Sequence, residues 1–388
     1  MRPLFSRTFY LVSLFITCSY LTGCGQNSVN APSVASTNTL TQSIANGNTQ
    51  AGVPQIIALL VPLQGPLSGV GQAVKQGFMA AAQATRTSPP NVIVIDTTKQ
   101  VSTQGAYEKA LSYKAQMVVG PLLKTQVQTL AGLQLTTPAL ALNYLNPDIS
   151  TPPELYQFGL SPLDEVRQVV QQAWQTGRRS ALVINLGDAW GSQLGQSFAN
   201  EWKRAGGKVV GRLNLSQNSS AFNRQIRNFL QFKPPHDRRT DFDVVFLAIN
   251  PKVARQVIPL LKFYYVGDVP IYATASVYAG VPNRRLNNDL NQVIFCSAPW
   301  GLGQNTPYPS LYEQLQIANP TGHFRRYRSY YALGVDAYHL TQQLAYLNQS
   351  PSNSIPGATG QLSLDAQHRI VRQLICAQFN KGYVTLIN

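Results

Sequence analysis

From Val53 onward, short apolar runs of strand length alternate with stretches whose apolar residues recur at helical spacing, and this alternation fixes the fold class as α/β. Residues 56–61 form an apolar run. Residues 69–84 then place Val70, Val74, Phe78 and Ala81 on one helix face, and 92–95 form a second strand. The pattern repeats as a helix over 104–115, a strand over 117–119 ending at Gly120-Pro121, a helix over 122–132 and a strand over 139–142. Strands separated by helices lie parallel, joined by right-handed crossovers.

A second series starts at Ser161-Pro162-Leu163-Asp164, where Ser161 can cap, Pro162 suits the first helical position and Asp164 can return the bond to the cap. Val166, Val169, Val170, Ala173 and Trp174 follow at helical spacing until Gly177. Strands are expected over 181–186, 209–213, 244–249 and 271–275, with helices through Leu194, Phe198 and Trp202, over 222–230 and over 253–261. The rest, 276–388, is too short for a third domain and has no complete alternating unit, so it must finish the first two. Crossings are expected near 158–160, 274–277 and 348–360, the last rich in Pro, Asn and Gly. This assigns 54–159 and 276–347 to lobe 1, and 160–275 and 355–388 to lobe 2. The architecture resembles the type I periplasmic-binding-protein fold, two lobes each built on a parallel sheet flanked by helices.

The N-terminal segment addresses the location. Arg2 and Arg7 precede an apolar stretch (Leu11, Val12, Leu14, Phe15, Ile16) too short to span a bilayer, and Leu21-Thr22-Gly23-Cys24 closes it. An ordinary secretory signal shares the basic start and the small residues, but Leu at the first position and Cys at the last favour the bacterial lipobox, which this tetrapeptide resembles. The resemblance implies removal of 1–23 as a signal peptide and acylation of Cys24. Gly25, rather than Asp, after the cysteine then implies sorting to the outer membrane, with the folded part facing the periplasm. Residues 24–53 contain no charge and no apolar periodicity, and are expected to form a flexible tether.

Loss of 1–23 removes two arginines and no acid, leaving 29 basic against 16 acidic residues and a net charge of +13. Such a balance favours anionic surfaces or acidic partner proteins; in the periplasm those are lipopolysaccharide, cell-wall polymer or a partner domain, and not nucleic acid. The basic residues crowd between 178 and 239. Among them Arg178, Arg179, Arg224, Arg227, Arg238 and Arg239 form either a docking face or a solvated basic face. Cys296 and Cys376 lie in strand-like runs over 293–298 and 371–379. The periplasm permits a disulfide, but nothing in the sequence brings the two runs together, and two buried free thiols are expected.

Catalytic constellations are scarce. There is no HExxH, GxSxG, paired CxxC, GxxxxGK[ST] or Ser-x-x-Lys, and His236, His323, His339 and His368 are scattered, so neither an enzyme, a metal nor a cofactor is expected. The loops 62–69 and 120–125 each precede a helix, where backbone N–H groups can hold an anion, but the preferred explanation is that glycine and proline simply turn the chain from strand into helix. If the lobes enclose a cleft, its candidate residues are Ser68, Lys124, Thr125, Asn143, Tyr144, Trp190, Ser276 and Tyr278. Leu122 and Leu123 stand where small hydroxyls would suit a carboxylate ligand, which argues for a filled or altered cleft.

Several segments taken together resemble the C-terminal domain of the LpoA/LppC lipoproteins. They are the run Ile56-Ile57-Ala58-Leu59-Leu60-Val61-Pro62-Leu63, then Gly71-Gln72-Ala73 with Gly77-Phe78, Val119-Gly120-Pro121-Leu122-Leu123-Lys124, and Phe158-Gly159-Leu160-Ser161-Pro162 with Asp164-Glu165. Tyr331-Ala332-Leu333-Gly334-Val335-Asp336-Ala337-Tyr338 and Gly357-Ala358-Thr359-Gly360-Gln361-Leu362 extend the likeness over nearly all of 54–388. Members of that family activate class A penicillin-binding proteins. The resemblance therefore implies a non-enzymatic outer-membrane lipoprotein that binds a class A penicillin-binding protein, the peptidoglycan synthase, and stimulates cross-linking, with peptidoglycan itself a further possible contact. Larger members carry an N-terminal domain of helical repeats, and here the tether leads directly into the clamp. The competing reading is a solute-binding lipoprotein of the same fold.

Overall fold

The computed structural model describes residues 52–387 apart from 86, 87, 304, 305 and 320. The expected signal peptide, the expected acylation site Cys24 and the expected tether up to residue 51 lie outside the described residues.

The first series runs β1 (Ile56–Val61), α1 (Ser68–Ala84), β2 (Asn91–Asp96), α2 (Thr103–Ser112), β3 (Met117–Val119), α3 (Lys124–Ala131), β4 (Ala139–Ala141) and β5 (Leu155–Gln157). Its five strands are parallel in the order β2-β1-β3-β4-β5. Helices cover both faces, which is why β1 is apolar at every position instead of alternating. The three-residue β5 is too short to leave a pattern, and the sequence reading has no strand there.

The second series runs α4 (Pro162–Gln175), β6 (Ser180–Leu186), α5 (Ala189–Arg204), β7 (Lys208–Leu215), α6 (Phe222–Phe229), β8 (Val244–Ala248), α7 (Pro251–Phe263), β9 (Ile271–Thr274), α8 (Arg284–Asn287) and β10 (Ile294–Ser297). The order β7-β6-β8-β9-β10 repeats that of the first sheet. The Ser161 hydroxyl caps α4 by accepting from the Leu163 N–H (3.2 Å). Asp164 does not return the bond to the cap; its carboxylate turns to Arg372 instead.

The lobe boundaries differ from those expected. The chain does not cross at 274–277, because β10 pairs in parallel with β9 and keeps residues up to Ser297 in the second sheet. The connecting α8 has four residues, too few to show a helical period. Only then does the chain return to the first lobe as α9 (Pro299–Leu302), α10 (Pro309–Ala318) and α11 (His323–Gln349). An antiparallel sheet follows, β11 (Ser354–Gly357), β12 (Gly360–Leu364) and β13 (Ile370–Gln373). Its Ala358, Leu362, Leu364 and Ile370 enter the first lobe's core, so 355–373 belongs there and not to lobe 2. The last crossing is at Leu374, after which β14 (Ile375–Asn380) and β15 (Tyr383–Leu386) add antiparallel strands to β10.

The same pairing corrects the expectation of free thiols. Cys296 on β10 and Cys376 on β14 sit directly opposite each other and form a disulfide. The sequence could not supply this, because the strands are neighbours only through the long excursion between them.

Two glycines govern how α11 reaches the core. A methyl group at Gly77 of α1 would collide with the Tyr331 carbonyl oxygen, and one at Gly334 of α11 with that of Val74, so the two helices pack backbone to backbone. Asp336, on the buried face of α11, then accepts hydrogen bonds from the Ala358 N–H (2.7 Å), the Thr359 N–H (2.7 Å) and the Thr359 hydroxyl (2.7 Å). Burial pushes its carboxyl up to about 6, against the pull of these three donors. Two of the segments that carry the family resemblance therefore meet in one buried hydrogen-bonded joint.

Candidate functional site

The three crossings converge on a braced hinge. Arg372, on β13, occupies a position where the alternation of Ile370 and Leu374 calls for an apolar residue, and its guanidinium is buried. It meets Asp164 at the start of α4 through Nε (3.2 Å) and Nη2 (2.7 Å), both side chains being 4% exposed, and donates to the Ser161 carbonyl (3.2 Å). Arg167 reaches the other Asp164 oxygen at 3.2 Å. The Tyr144 hydroxyl spans the same joint and reaches the carbonyls of Gly159 (3.2 Å) and Ile370 (3.1 Å); burial pushes this phenol up to about 12. Glu165 accepts from the Ala275 N–H at 2.8 Å, tying α4 to the end of β9. It opens onto a cavity of about 210 Å³, yet burial pushes its carboxyl up to about 7, with the Ala275 hydrogen bond and Arg372 pulling the other way. The disulfide ties the second crossing to the third.

Beside this hinge a groove of about 920 Å³ runs between α4 and α5 of the second lobe and the loop after β4 and the β12–β13 turn of the first. Its rim is charged. Lys124, Arg167, Arg204 and Arg369 face Asp164, Glu201 and Asp365, with Arg204 paired to Glu201 at 2.8 Å and the Arg369 guanidinium 4.8 Å from the centre of the Tyr144 ring.

Of the expected cleft residues, the structure brings Lys124, Asn143 and Tyr144 together in this groove. Two of them are committed to the fold: Tyr144 as above, and Asn143, which donates to the Leu122 carbonyl (3.0 Å) and accepts from the Tyr144 N–H (2.9 Å). Tyr278 lines the smaller hinge cavity and packs on Phe295 and Phe379. Ser68, Thr125, Trp190 and Ser276 line neither; the Ser276 hydroxyl bonds to Thr274 (2.6 Å). Leu122 is buried in the first core. Arg167, Glu201, Arg204, Asp365 and Arg369 are groove residues that the sequence reading missed, because they come from three separate elements. For Arg372 a signal existed: a charge in the inward phase of a strand needs an acid.

The expected basic face divides in two. Arg224 and Arg227 on α6 are exposed and make no ion pair among the described residues. Arg238 is held by the Tyr265 carbonyl (2.7 Å) and Asp268 (3.1 Å), and Arg239 by Asp241 (2.7 Å) and the Val210 carbonyl (2.9 Å); both side chains are largely buried. Arg179 lies over the Trp174 ring at 3.6 Å. Arg178 lines a cavity. Each of the four histidines rests against a tyrosine ring, and among the described residues no cluster of His, Cys, Asp or Glu could hold a metal ion. No helix among the described residues is long and apolar enough to cross a membrane.

Comparison with known proteins agrees with this architecture. The family model described as "LppC putative lipoprotein" matches residues 40–382. The penicillin-binding protein activator LpoA of Yersinia pestis bv. Antiqua (strain Angola) is 27% identical over 406 aligned residues, which cover 84% of this chain and 60% of that protein. The chain thus spans less than two thirds of the length of this relative. Among solved structures, the LpoA (YraM) C-domain from Haemophilus influenzae, described as a regulator of PBP1A, matches with a TM-score of 0.72 and 26% identity, over 86% of this chain and all of that one. A putative branched-chain amino acid ABC transporter structure from Chromobacterium violaceum matches with a TM-score of 0.64 and 26% identity, over 84% of this chain and 99% of that one.

Proposed function

The chain belongs to the LppC lipoprotein family, and from that premise we propose that it is an activator of a class A penicillin-binding protein, held by lipid on Cys24 at the outer membrane and facing the periplasm. The folded body binds a periplasmic domain of the synthase and raises its peptide cross-linking rate without chemistry of its own. The observation that carries this reading is the match over the whole of the H. influenzae C-domain. The commitment of Asn143 and Tyr144 to the fold supports it against a solute receptor, since groups bonded to their own backbone are not available to a ligand. Nucleic acid has no place in this reading, and peptidoglycan is a secondary contact.

Arg224 and Arg227 are the cations best placed to steer encounter with an acidic partner face, because among the described residues no carboxylate pairs with them. Arg238 and Arg239 serve the fold. The test combines purified protein, purified synthase and lipid-linked precursor, and counts cross-linked products. Cross-linking is expected to rise. Arg224→Glu with Arg227→Glu should slow association several-fold at low salt and change little at high salt, where the Debye length falls well below ~10 Å. No rise in cross-linking, with no binding at low salt, rejects the activator reading. A saturable melting shift with an amino acid or a wall peptide promotes the solute-binding one.

A further inference from the structure

At the end of the second sheet where the parallel strands begin, opposite the hinge, lies a cavity of about 260 Å³ lined by two cations. Arg178, two residues before β6, extends into its wall. Its Nε is buried and finds no acceptor among the described residues, and its guanidinium enters no ion pair there. Lys262, in the last turn of α7, supplies the second charge. Its ammonium donates one hydrogen bond, to the Asn291 carbonyl at 2.9 Å, which leaves two of its three protons for another acceptor. Burial lowers its pKa, while Asp289 acts in the opposite direction.

Asp289 acts on Lys262 without forming an ion pair with it, and among the described residues no carboxylate pairs with Arg178 or Lys262. Asp268 shares the wall but is mostly exposed and engaged by Arg238 at 3.1 Å. The Asn291 side-chain oxygen accepts from the Lys381 N–H (2.6 Å), and the Gln378 amide donates to the Gln292 carbonyl (3.1 Å). A buried cationic N–H without an acceptor is costly, by more than a neutral donor would be. Such a group persists where an anion completes it. The cavity has room for several waters at ~30 Å³ each, and so for a tetrahedral oxyanion.

We propose that this cavity is an oxyanion site in which Arg178 and Lys262 together hold a phosphate group. A guanidinium fork matches two phosphate oxygens and an ammonium a third, and two cations in the wall of one cavity favour a phosphate, which can carry two charges, over a carboxylate, which carries one. The phosphate is either a free ion or the end of an ester. The inference does not depend on the activator reading, because the site lies away from the hinge and from the groove.

The test is calorimetric titration of the full-length protein with inorganic phosphate and, separately, with glycerol 3-phosphate, at constant ionic strength with chloride as the reference. Saturable binding that weakens at least tenfold in both Arg178→Gln and Lys262→Gln is expected. Binding of both probes assigns the site to an esterified phosphate, and binding of inorganic phosphate alone assigns it to the free ion. Among the described residues the Arg178 side chain makes no hydrogen bond that the fold uses, so Arg178→Gln folds and decides the matter even if Lys262→Gln does not. Absence of saturable binding to either probe, or equal binding in wild type and Arg178→Gln, overturns the proposal.

Discussion

Replacing Arg372 with methionine tests whether the hinge is held by its buried ion pair. The substitution keeps most of the side-chain volume but removes two contacts to Asp164, at 3.2 and 2.7 Å, and one to the Ser161 carbonyl at 3.2 Å. Breaking a buried pair from one side typically costs ~3–5 kcal/mol, because the remaining charge is left uncompensated. Arg167 still reaches Asp164 at 3.2 Å and is partly solvated, so the lower end, about 3 kcal/mol, is the expected loss. Arg372 also holds the Glu165 carboxyl down, and without it that carboxyl moves above its present value of about 7. The loss should therefore be smaller at pH 6, where Glu165 takes up a proton, than at pH 8. Urea denaturation of wild type, Arg372→Met, Asp164→Leu and the double variant measures the pair directly. The double variant should recover to within about 1 kcal/mol of wild type, because an apolar pair of similar volume needs no compensation. A single-variant loss below 1 kcal/mol, or a double variant as unstable as the sum of the singles, would show that the hinge does not rest on this contact.

Glu165 gives stability a pH dependence of its own. Its folded pKa of about 7 lies above the ordinary 4.5, so the folded state binds the proton more tightly, and stability falls as pH rises from about 4.5 to about 7. Glu165→Gln keeps an oxygen for the Ala275 N–H; it should flatten that slope and raise stability at pH 8 by an amount on the order of 1–2 kcal/mol, read from melts across pH. The disulfide closes a sequence separation of 80 residues, for which chain entropy gives an upper limit of ~4.5 kcal/mol. Cys296→Ala with Cys376→Ala should cost ~2–4 kcal/mol, and a denaturation midpoint insensitive to reductant in the wild type would contradict the bond.

The alternation of strand and helix was legible wherever an element is long enough to carry its own period, and β1 and β3 fall where the pattern puts them. What failed had a common cause. The crossing after Ser297 depends on β10 pairing with β9, and the disulfide on β14 returning beside β10. Both are choices of neighbour, and a strand's sequence does not state its neighbour. The 371–379 run read as one strand because nothing local marks Leu374 as the point where the chain leaves one lobe for the other; the break is imposed by the two sheets it serves. The candidate cleft was legible in part, since Lys124, Asn143 and Tyr144 do share the groove. Asn143 and Tyr144 do stand beyond a strand end, as expected, but their hydrogen bonds go to the Leu122, Gly159 and Ile370 carbonyls of the fold itself.

That outcome bears on where function resides. The segments that carry the family resemblance turn out to be packing devices: Gly77 and Gly334 let α1 and α11 touch, Asp336 locks the turn at Ala358 and Thr359, and Asp164 and Glu165 brace the hinge. The Asp164–Arg372 pair links the first crossing to the third, and the disulfide links the second to the third. A receptor that closes on its ligand needs crossings free to rotate. Here rotation would have to break a buried ion pair and bend strands joined by a disulfide, so the shape of the two lobes is better suited to presenting a fixed surface than to enclosing a solute. Binding through a fixed surface avoids the ordering cost that a moving one carries, and under the proposed function the place to test for partner contact is outside the shared motifs, at exposed positions such as Arg224 and Arg227.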